Sequence, residues 1–458
     1  MSQNREQWGS KLGFILAASG SAVGIGNIWK YPSIAGQNGG GAFTLVYLAC
    51  ILVVGLSIVI AEFVIGRKTQ LSPVGAFEKL APGTNWKWVG YLGVASAFVI
   101  LSFYGVVGGW ILKYIIDSFS GGFDALAGNP EAAGTMFNGF ITSAWNPVIY
   151  QVLFMILCIW VIVNGVKGGI EKWSKVMMPL IVILLGILAI RGMTLPGGME
   201  GLSFLFNPRF EDLTASAIVL ALGHSFFTVS LGMGTMITYG SYLDKKQNLL
   251  NSALWVIFLD TAIAMLAGVA IFTTVFALGG NPAVGPGLIF VVLPTVFSQM
   301  TGGIIWGTMF FILLFMAALT SAISILEVVT AYFIDQKGWS RKKATIQFGA
   351  VITVVGAFCS FSLGGGINIT EFMGMSFFDF MDGLSSKYML PIGGMFTAIF
   401  ILKKWGIPNF IDELKNGMDN FNIPPWLIRT LLTIGATVVA FIIFNEVYAE
   451  IFGKALIG

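Results

Sequence analysis

The chain reads as an all-α, polytopic membrane protein, and three observations make it one. Of its 458 residues, 56% are hydrophobic and only 10% are charged, where a soluble domain carries about 25% charged residues. Mean hydropathy is +0.85. The apolar residues gather in runs of about 20, the length that crosses a bilayer as a helix. The connections between those runs alternate between basic and nearly uncharged, the asymmetry that sets orientation. The net charge of +3 adds little. A lipid bilayer is therefore the expected surrounding, and neither nucleic acid nor an obligatory protein partner is expected.

Eleven spans follow in order: 11–35, 42–66, 88–117, 147–165, 175–193, 214–240, 250–278, 304–334, 345–362, 374–402 and 427–447. The first is apolar enough to enter a membrane, yet Gly24, Gly26 and Asn27 puncture it near its middle. Lipid satisfies no backbone group, so irregular backbone survives there only where it is covered or lines a cavity. Span 2 ends at Arg67 and Lys68. Span 3 follows Lys87 and ends at Asp117, and spans 4 and 5 flank a basic stretch with Lys167, Lys172 and Lys175. Span 6 repeats the anomaly of the first, with Gly232 and Gly234 inside an apolar run. Two interrupted helices in corresponding positions of two halves point to a transporter site. Span 7 is continuous and carries Asp260. Span 8 leads to Lys337, Arg341, Lys342 and Lys343, span 9 follows, and span 10 ends at Lys403 and Lys404. Lys79, Lys87, Lys245 and Lys246 share the basic side with Arg5 and Lys11. Asp117, Asp124, Glu131, Glu200, Arg209, Glu211 and Asp212 lie opposite. The basic side is expected in the cytoplasm, which places the N-terminus inside and, after eleven spans, the C-terminus outside. Residues 1–8 are polar and show no cleavable signal, so the first helix should stay. Residues 281–300, broken by Pro282, Pro286 and Pro294, suggest a re-entrant or lid-like helical hairpin. Residues 118–146, rich in Gly and Asn, suggest an ordinary flexible connection.

Catalysis is disfavoured. There is one histidine, no Cys/His cluster, no nucleophile elbow and no phosphate loop, and Gly24-Ile25-Gly26 follows no strand. Cys50, Cys158 and Cys359 lie in apolar runs and read as packing residues. Polar groups inside spans carry more information, because each is costly in lipid. They are Ser19, Ser21, Asn27 and Lys30; Ser102 and Tyr104; His224, Ser225, Thr228 and Ser230; Asp260; Thr320, Ser321, Ser324 and Glu327; Asp379 and Asp382. A single Ser or Thr there is more often a packing or back-bonding residue. Asp260 demands a cation, a proton or a strong donor. Sodium, a hard cation, takes oxygen ligands. The carbonyls near Gly20, Ala22 and Val23, the Asn27 amide, the Thr228, Thr320 and Ser321 hydroxyls and the Asp260 carboxylate are such oxygens. Broken-helix amides suit a substrate carboxylate, and Ile100, Tyr104, Phe227, Met233 and Ile325 could enclose an apolar side chain.

The stretch Gly20-Ser21-Ala22-Val23-Gly24-Ile25-Gly26-Asn27-Ile28-Trp29-Lys30-Tyr31-Pro32 with Asn38-Gly39-Gly40-Gly41-Ala42-Phe43 resembles the neurotransmitter:sodium symporter family. So do Phe226-Phe227-Thr228-Val229-Ser230-Leu231-Gly232 and Ala317-Ala318-Leu319-Thr320-Ser321, and the resemblance covers essentially the whole chain. It implies a leucine-transporter-type fold in a single domain over 1–458. Two inverted five-helix repeats would span 11–193 and 214–402, with helices 1 and 6 broken and 427–447 outside the repeat. It implies a multi-pass transporter of a bacterial-type plasma membrane that imports a small amino acid with sodium. The first sodium site would use Ala22, Asn27, Thr228, Asp260 and the substrate carboxylate. The second would use Gly20, Val23, Ala317, Thr320 and Ser321. Substrate would meet Ala22, Gly24, Gly26, Ile100, Tyr104, Phe227, Ser230, Met233, Ser321 and Ile325, with Tyr104 on its carboxylate and Phe227 closing over it. Lys30 and Asp382 would pair as the outer gate, and Arg5 and Asp335 as the inner gate near Trp8 and Tyr242.

Three departures from the family pattern matter. Lys30 replaces the usual arginine and cannot make a bidentate fork, so a looser gate is expected. Asp260 replaces the usual asparagine. At the position where chloride-dependent members hold the anion, Tyr47 is kept, but His224 replaces a glutamine and Ala264 a serine. A fixed carboxylate at Asp260 can supply that negative charge, so no chloride is expected. His224 either hydrogen-bonds Asp260 or simply packs. Family members that take monoamines carry aspartate where this chain has Gly24, so a carboxylate-bearing substrate is favoured, with a medium to large apolar or aromatic side chain beside the adaptable Met233. A proton-coupled transporter using Asp260 or Glu327, or a non-transporting sensor of the same fold, stays open.

Overall fold

All eleven predicted spans are helical in the computed structural model, which describes residues 5–126, 128–284, 287–364, 373–418, 424–453 and 456. Nine of them, among the described residues, are long and apolar enough to cross a bilayer unaided. They are Gly41–Thr69 (span 2), Lys87–Phe119 (3), Asn146–Val163 (4), Val166–Met193 (5), Leu249–Ala277 (7), Gly303–Lys337 (8), Arg341–Phe361 (9), Phe377–Trp405 (10) and Pro425–Phe452 (11). Burial sorts them. The most apolar window of span 8 is 83% buried and that of span 3 is 78%, against 33% for span 11. Spans 3 and 8 are thus central posts, and span 11 faces lipid.

Spans 1 and 6 are the two exceptions. Span 1 consists of Lys11–Ala22 and Gly26–Gln37, bent by 51° at the break. Ser10 caps the first piece by accepting the Gly13 N–H at 3.0 Å. That piece stops because Val23 turns extended, and the Asn27 side chain accepts the Gly24 N–H at 3.1 Å in place of a helical carbonyl. Span 6 is Ala215–Thr228 and Thr235–Gly240, with Ser230, Gly232 and Gly234 at positive φ between them. Gly232 has to be glycine: at φ +78° a Cβ would collide with the Leu390 carbonyl and lie 2.9 Å from the Gly394 nitrogen.

Two connections differ from expectation. Residues 118–146 are not a simple flexible link, because Pro130–Ile141 is a helix capped by Asn129. Its Phe137 ring lies parallel to Phe290 at 5.1 Å, and Phe140 is buried. Spans 4 and 5 are separated only by Asn164 and Gly165, so Lys167 and Lys172 lie on span 5 itself. The lid-like segment is helical over Leu288–Gln299, and its buried Leu288, Ile289 and Phe290 anchor it. Pro286 lies outside the described residues. Shorter helices at Pro73–Leu80, Gly198–Phe206 and Ile407–Lys415 lie between spans, and the last buries Ile407, Phe410, Ile411 and Leu414.

Candidate functional site

The two breaks face each other. Between them Ser21, Ala22, Gly24, Gly26, Ile100, Tyr104, Phe227, Ser230, Met233, Ser321 and Ile325 line a small cavity of about 20 Å³. That is room for about one water, so the walls stand nearly closed on each other. All ten substrate-contact candidates are among these residues, and Ser21 is the addition. Span 1 supplies backbone and Ser21, span 6 supplies Ser230 with the apolar Phe227 and Met233, and spans 3 and 8 supply Ile100 and Ile325 beside Tyr104 and Ser321. Tyr104 is buried, and its hydroxyl accepts the Ile25 N–H at 3.3 Å. A Cβ on Gly24 would collide with the Ser321 hydroxyl and stand 2.9 Å from the Tyr104 hydroxyl. Only glycine leaves that corner open.

The candidates for the first sodium site also converge. Asp260 is completely buried. The Asn27 amide donates to its carboxylate at 2.8 Å and to its carbonyl at 3.1 Å, and the Thr228 hydroxyl lies 3.2 Å from the carboxylate. Its described partners are neutral donors, and a buried carboxylate held only by neutral groups favours a cation beside it. Behind it the Tyr47 hydroxyl is 3.5 Å from that of Thr228. His224 packs its ring against Tyr47 at 5.3 Å and Tyr31 at 6.4 Å, and its Nε2 is buried with no hydrogen-bond partner among the described residues. Packing, rather than a hydrogen bond to Asp260, describes it.

The oxygens of the second set lie where span 1 crosses span 8. The Ser321 hydroxyl is 3.4 Å from the Gly20 carbonyl, 3.1 Å from that of Ser21 and 3.3 Å from that of Val23. Thr320 back-bonds to the Ala317 carbonyl at 3.0 Å. A Cβ on Gly20 would sit 3.2 Å from Thr320, which measures how closely the two helices approach. One Ser321 proton cannot satisfy three carbonyls, so oxygen lone pairs remain for a hard cation.

Contacts close the cavity on both sides. Above it Lys30 pairs with Asp382 at 3.1 Å and lies 4.0 Å from the Phe227 ring centroid. Lysine reaches a single Asp382 oxygen, as a point charge rather than a fork, and sets its other contact on the Phe227 face. Below, Arg5 grips Asp335 at 2.5 Å and the Ser241 hydroxyl at 2.6 Å. The Trp8 indole donates to the Tyr239 carbonyl at 3.0 Å, and Arg5 stacks 4.7 Å over Tyr242.

Several residues in this machinery escaped the sequence reading. Glu62, fully buried in span 2, accepts the Gly232 N–H at 2.8 Å and so braces the break of span 6. Its signal was present: a carboxylate in an apolar run costs as much at position 62 as at 260. A second ion-pair chain reinforces the inner side. Arg341 joins Glu327 at 2.6 Å and Glu6 at 2.8 Å, and Tyr242 donates to Glu327 at 2.5 Å. Glu171 accepts the Gly9 N–H at 2.6 Å and the Ser10 hydroxyl at 2.9 Å, tying span 1 to span 5. These pairs join residues up to 335 positions apart, which no local pattern reveals.

Residues 5–125 and 141–452 match the sodium:neurotransmitter symporter family. The chain belongs to that family. It is similar to an uncharacterized sodium-dependent transporter, YhdH, of Bacillus subtilis (strain 168), at 41% identity over 91% of each chain. An uncharacterized sodium-dependent transporter of Haemophilus influenzae is 36% identical over 87% of this chain and 89% of that one. Among solved structures, MhsT in complex with L-phenylalanine is 47% identical, with a TM-score of 0.87 over 96% of this chain and 99% of that chain. The fold is thus of the leucine-transporter type, and the protein is a sodium-dependent membrane transporter, not an enzyme.

Proposed function

We propose that this protein imports a neutral, hydrophobic or aromatic L-amino acid with sodium, by alternating access and without a requirement for chloride. The observation that carries the reading is the cavity at the two helix breaks, polar along its backbone edge and apolar along Ile100, Met233 and Ile325. A substrate carboxylate would take the corner that Gly24 leaves open, against the Tyr104 hydroxyl and the amides near Gly26. Its side chain would lie among Ile100, Phe227, Met233 and Ile325. The relative solved with L-phenylalanine supports an amino acid of that size.

The first sodium would bind Ala22, Asn27, Thr228 and Asp260 and share the substrate carboxylate, which couples ion to substrate without a moving part. The second would bind Gly20, Val23, Ala317, Thr320 and Ser321, and so hold span 1 against span 8. Asp260 carries a fixed negative charge beside Tyr47, where chloride-dependent relatives would need an anion. Lys30 with Asp382 and Phe227 would open outward, and Arg5 with Asp335 inward, as residues 11–193 and 214–402 rock against each other. The basic face, with the N-terminus, would lie in the cytoplasm of a bacterial-type plasma membrane.

Uptake of labelled L-phenylalanine into proteoliposomes tests the reading. Accumulation should follow an inward sodium gradient and be equal in chloride and gluconate. Uptake driven by a proton gradient alone would overturn sodium coupling, and binding without uptake would indicate a sensor.

A further inference from the structure

We propose that Ser324 is a positioning residue that holds span 1 against span 8 where the second sodium site meets the substrate cavity; this rests on the sodium-symport reading above. Ser324 lines neither the cavity nor either expected set of sodium ligands. It is completely buried on span 8, one turn beyond Ser321. Its hydroxyl donates to the Ser321 carbonyl at 2.8 Å and accepts the Ser21 hydroxyl at 2.7 Å.

Ser21 is the hub of this cluster. The break in span 1 takes away the helical partner of its carbonyl, because the Ile25 N–H turns to Tyr104. The orphaned carbonyl is satisfied from two other helices, by Ser230 at 2.8 Å and Ser321 at 3.1 Å. Ser21 therefore borders the cavity, touches a sodium-ligand candidate through its carbonyl and reaches Ser324 through its side chain.

The coupling follows from the single proton of Ser321. That proton has three carbonyls in reach, and Ser21 is the nearest. A sodium ion on the Ser321 oxygen, bound also by the Gly20 and Val23 carbonyls, would repel the proton from those two and fix it on Ser21. Polarisation strengthens such a chain. Ser21 is then held against span 8, and its hydroxyl stays on Ser324. When sodium leaves, the proton can move to Gly20 or Val23 and the contact between spans 1 and 8 slackens. Alanine at 324 would leave the Ser21 hydroxyl buried without that acceptor.

The test measures binding of tritiated L-phenylalanine to the purified protein across sodium concentrations, with hydrogen exchange of residues 5–22 as a second readout. Ser324→Ala should raise half-saturating sodium about fivefold, the worth of one hydrogen bond. It should also speed exchange in 5–22 at saturating sodium, and Ser324→Thr should restore both. If Ser324→Ala does not fold, Ser21→Ala removes the same bond from its other end and carries the same expectation. Wild-type sodium dependence with wild-type exchange in either alanine variant would overturn the proposal. Absence of sodium-dependent binding in the wild type would instead remove the functional reading, and it shows before any variant is made.

Discussion

Replacing Gly24 by alanine adds one methyl group at the corner assigned to the substrate carboxylate, and the structure gives its cost. The new Cβ would overlap the Ser321 hydroxyl and lie 2.9 Å from that of Tyr104. Both oxygens are already engaged, Ser321 with the Ser21 carbonyl at 3.1 Å and Tyr104 with the Ile25 N–H at 3.3 Å. Either can yield only by giving up a hydrogen bond, each worth about 0.5–1.5 kcal/mol. Losing both costs about 1–3 kcal/mol, the usual range for overpacking a filled core. Because those oxygens would serve the substrate and the second sodium on the proposed reading, the loss should fall on binding, about 5- to 150-fold at 1.4 kcal/mol per decade. Equilibrium binding of L-phenylalanine at saturating sodium, with a sodium titration alongside, reads both effects. Affinities within twofold of wild type for both ligands would refute the placement of carboxylate and ion around Gly24.

Asp260→Asn keeps the shape of the site and removes its charge, so sodium affinity should fall about 10- to 100-fold, the worth of one charge-assisted contact. Uptake by that variant should then respond to chloride; equal uptake in every anion would reject the charge-substitution idea. Lys30→Ala removes a half-exposed ion pair and a contact with the Phe227 ring, together about 0.5–2 kcal/mol. Bound L-phenylalanine should dissociate about 2- to 30-fold faster in a chase experiment. Arg67 is fully buried, joined to Glu413 at 2.8 Å and to the Gln247 carbonyl at 2.6 Å. Arg67→Ala leaves Glu413 with Lys68 at 3.5 Å and the Asn416 amide at 3.1 Å, and the lost charge-assisted bonds should destabilise the protein by about 1.5–3 kcal/mol, seen as a lower thermal midpoint in detergent with or without sodium.

The breaks in spans 1 and 6 were legible because glycine and asparagine at membrane depth contradict the apolar run around them, and Asp260 because an isolated carboxylate there needs a partner. Glu62 and Arg67 offered the same kind of signal. Arg67 was missed because it stands beside Lys68 at a span end and looked like a solvated terminus, whereas helices 2 and 407–415 bury it completely. The helix at 130–141 was hidden by its Gly and Asn content, although Asn129 and Pro130 form an ordinary helix start. The Glu6–Arg341–Glu327 chain was not legible at all. Its members lie on three different segments; Glu6 and Arg341 read locally as charges at a membrane boundary, and Glu327 as a lone carboxylate inside span 8. Ser324 was visible only as one more hydroxyl in span 8, a residue type that mostly packs or back-bonds.

The central claim is that the two broken helices hold one amino acid together with two sodium ions. Equilibrium binding of radioactive sodium to the purified protein, with and without L-phenylalanine, tests it most directly. The account predicts two sodium ions for each bound L-phenylalanine, with Asp260→Asn weakening one and Thr320→Ala weakening the other. L-phenylalanine binding with no sodium bound, or sodium binding indifferent to both substitutions, would contradict it.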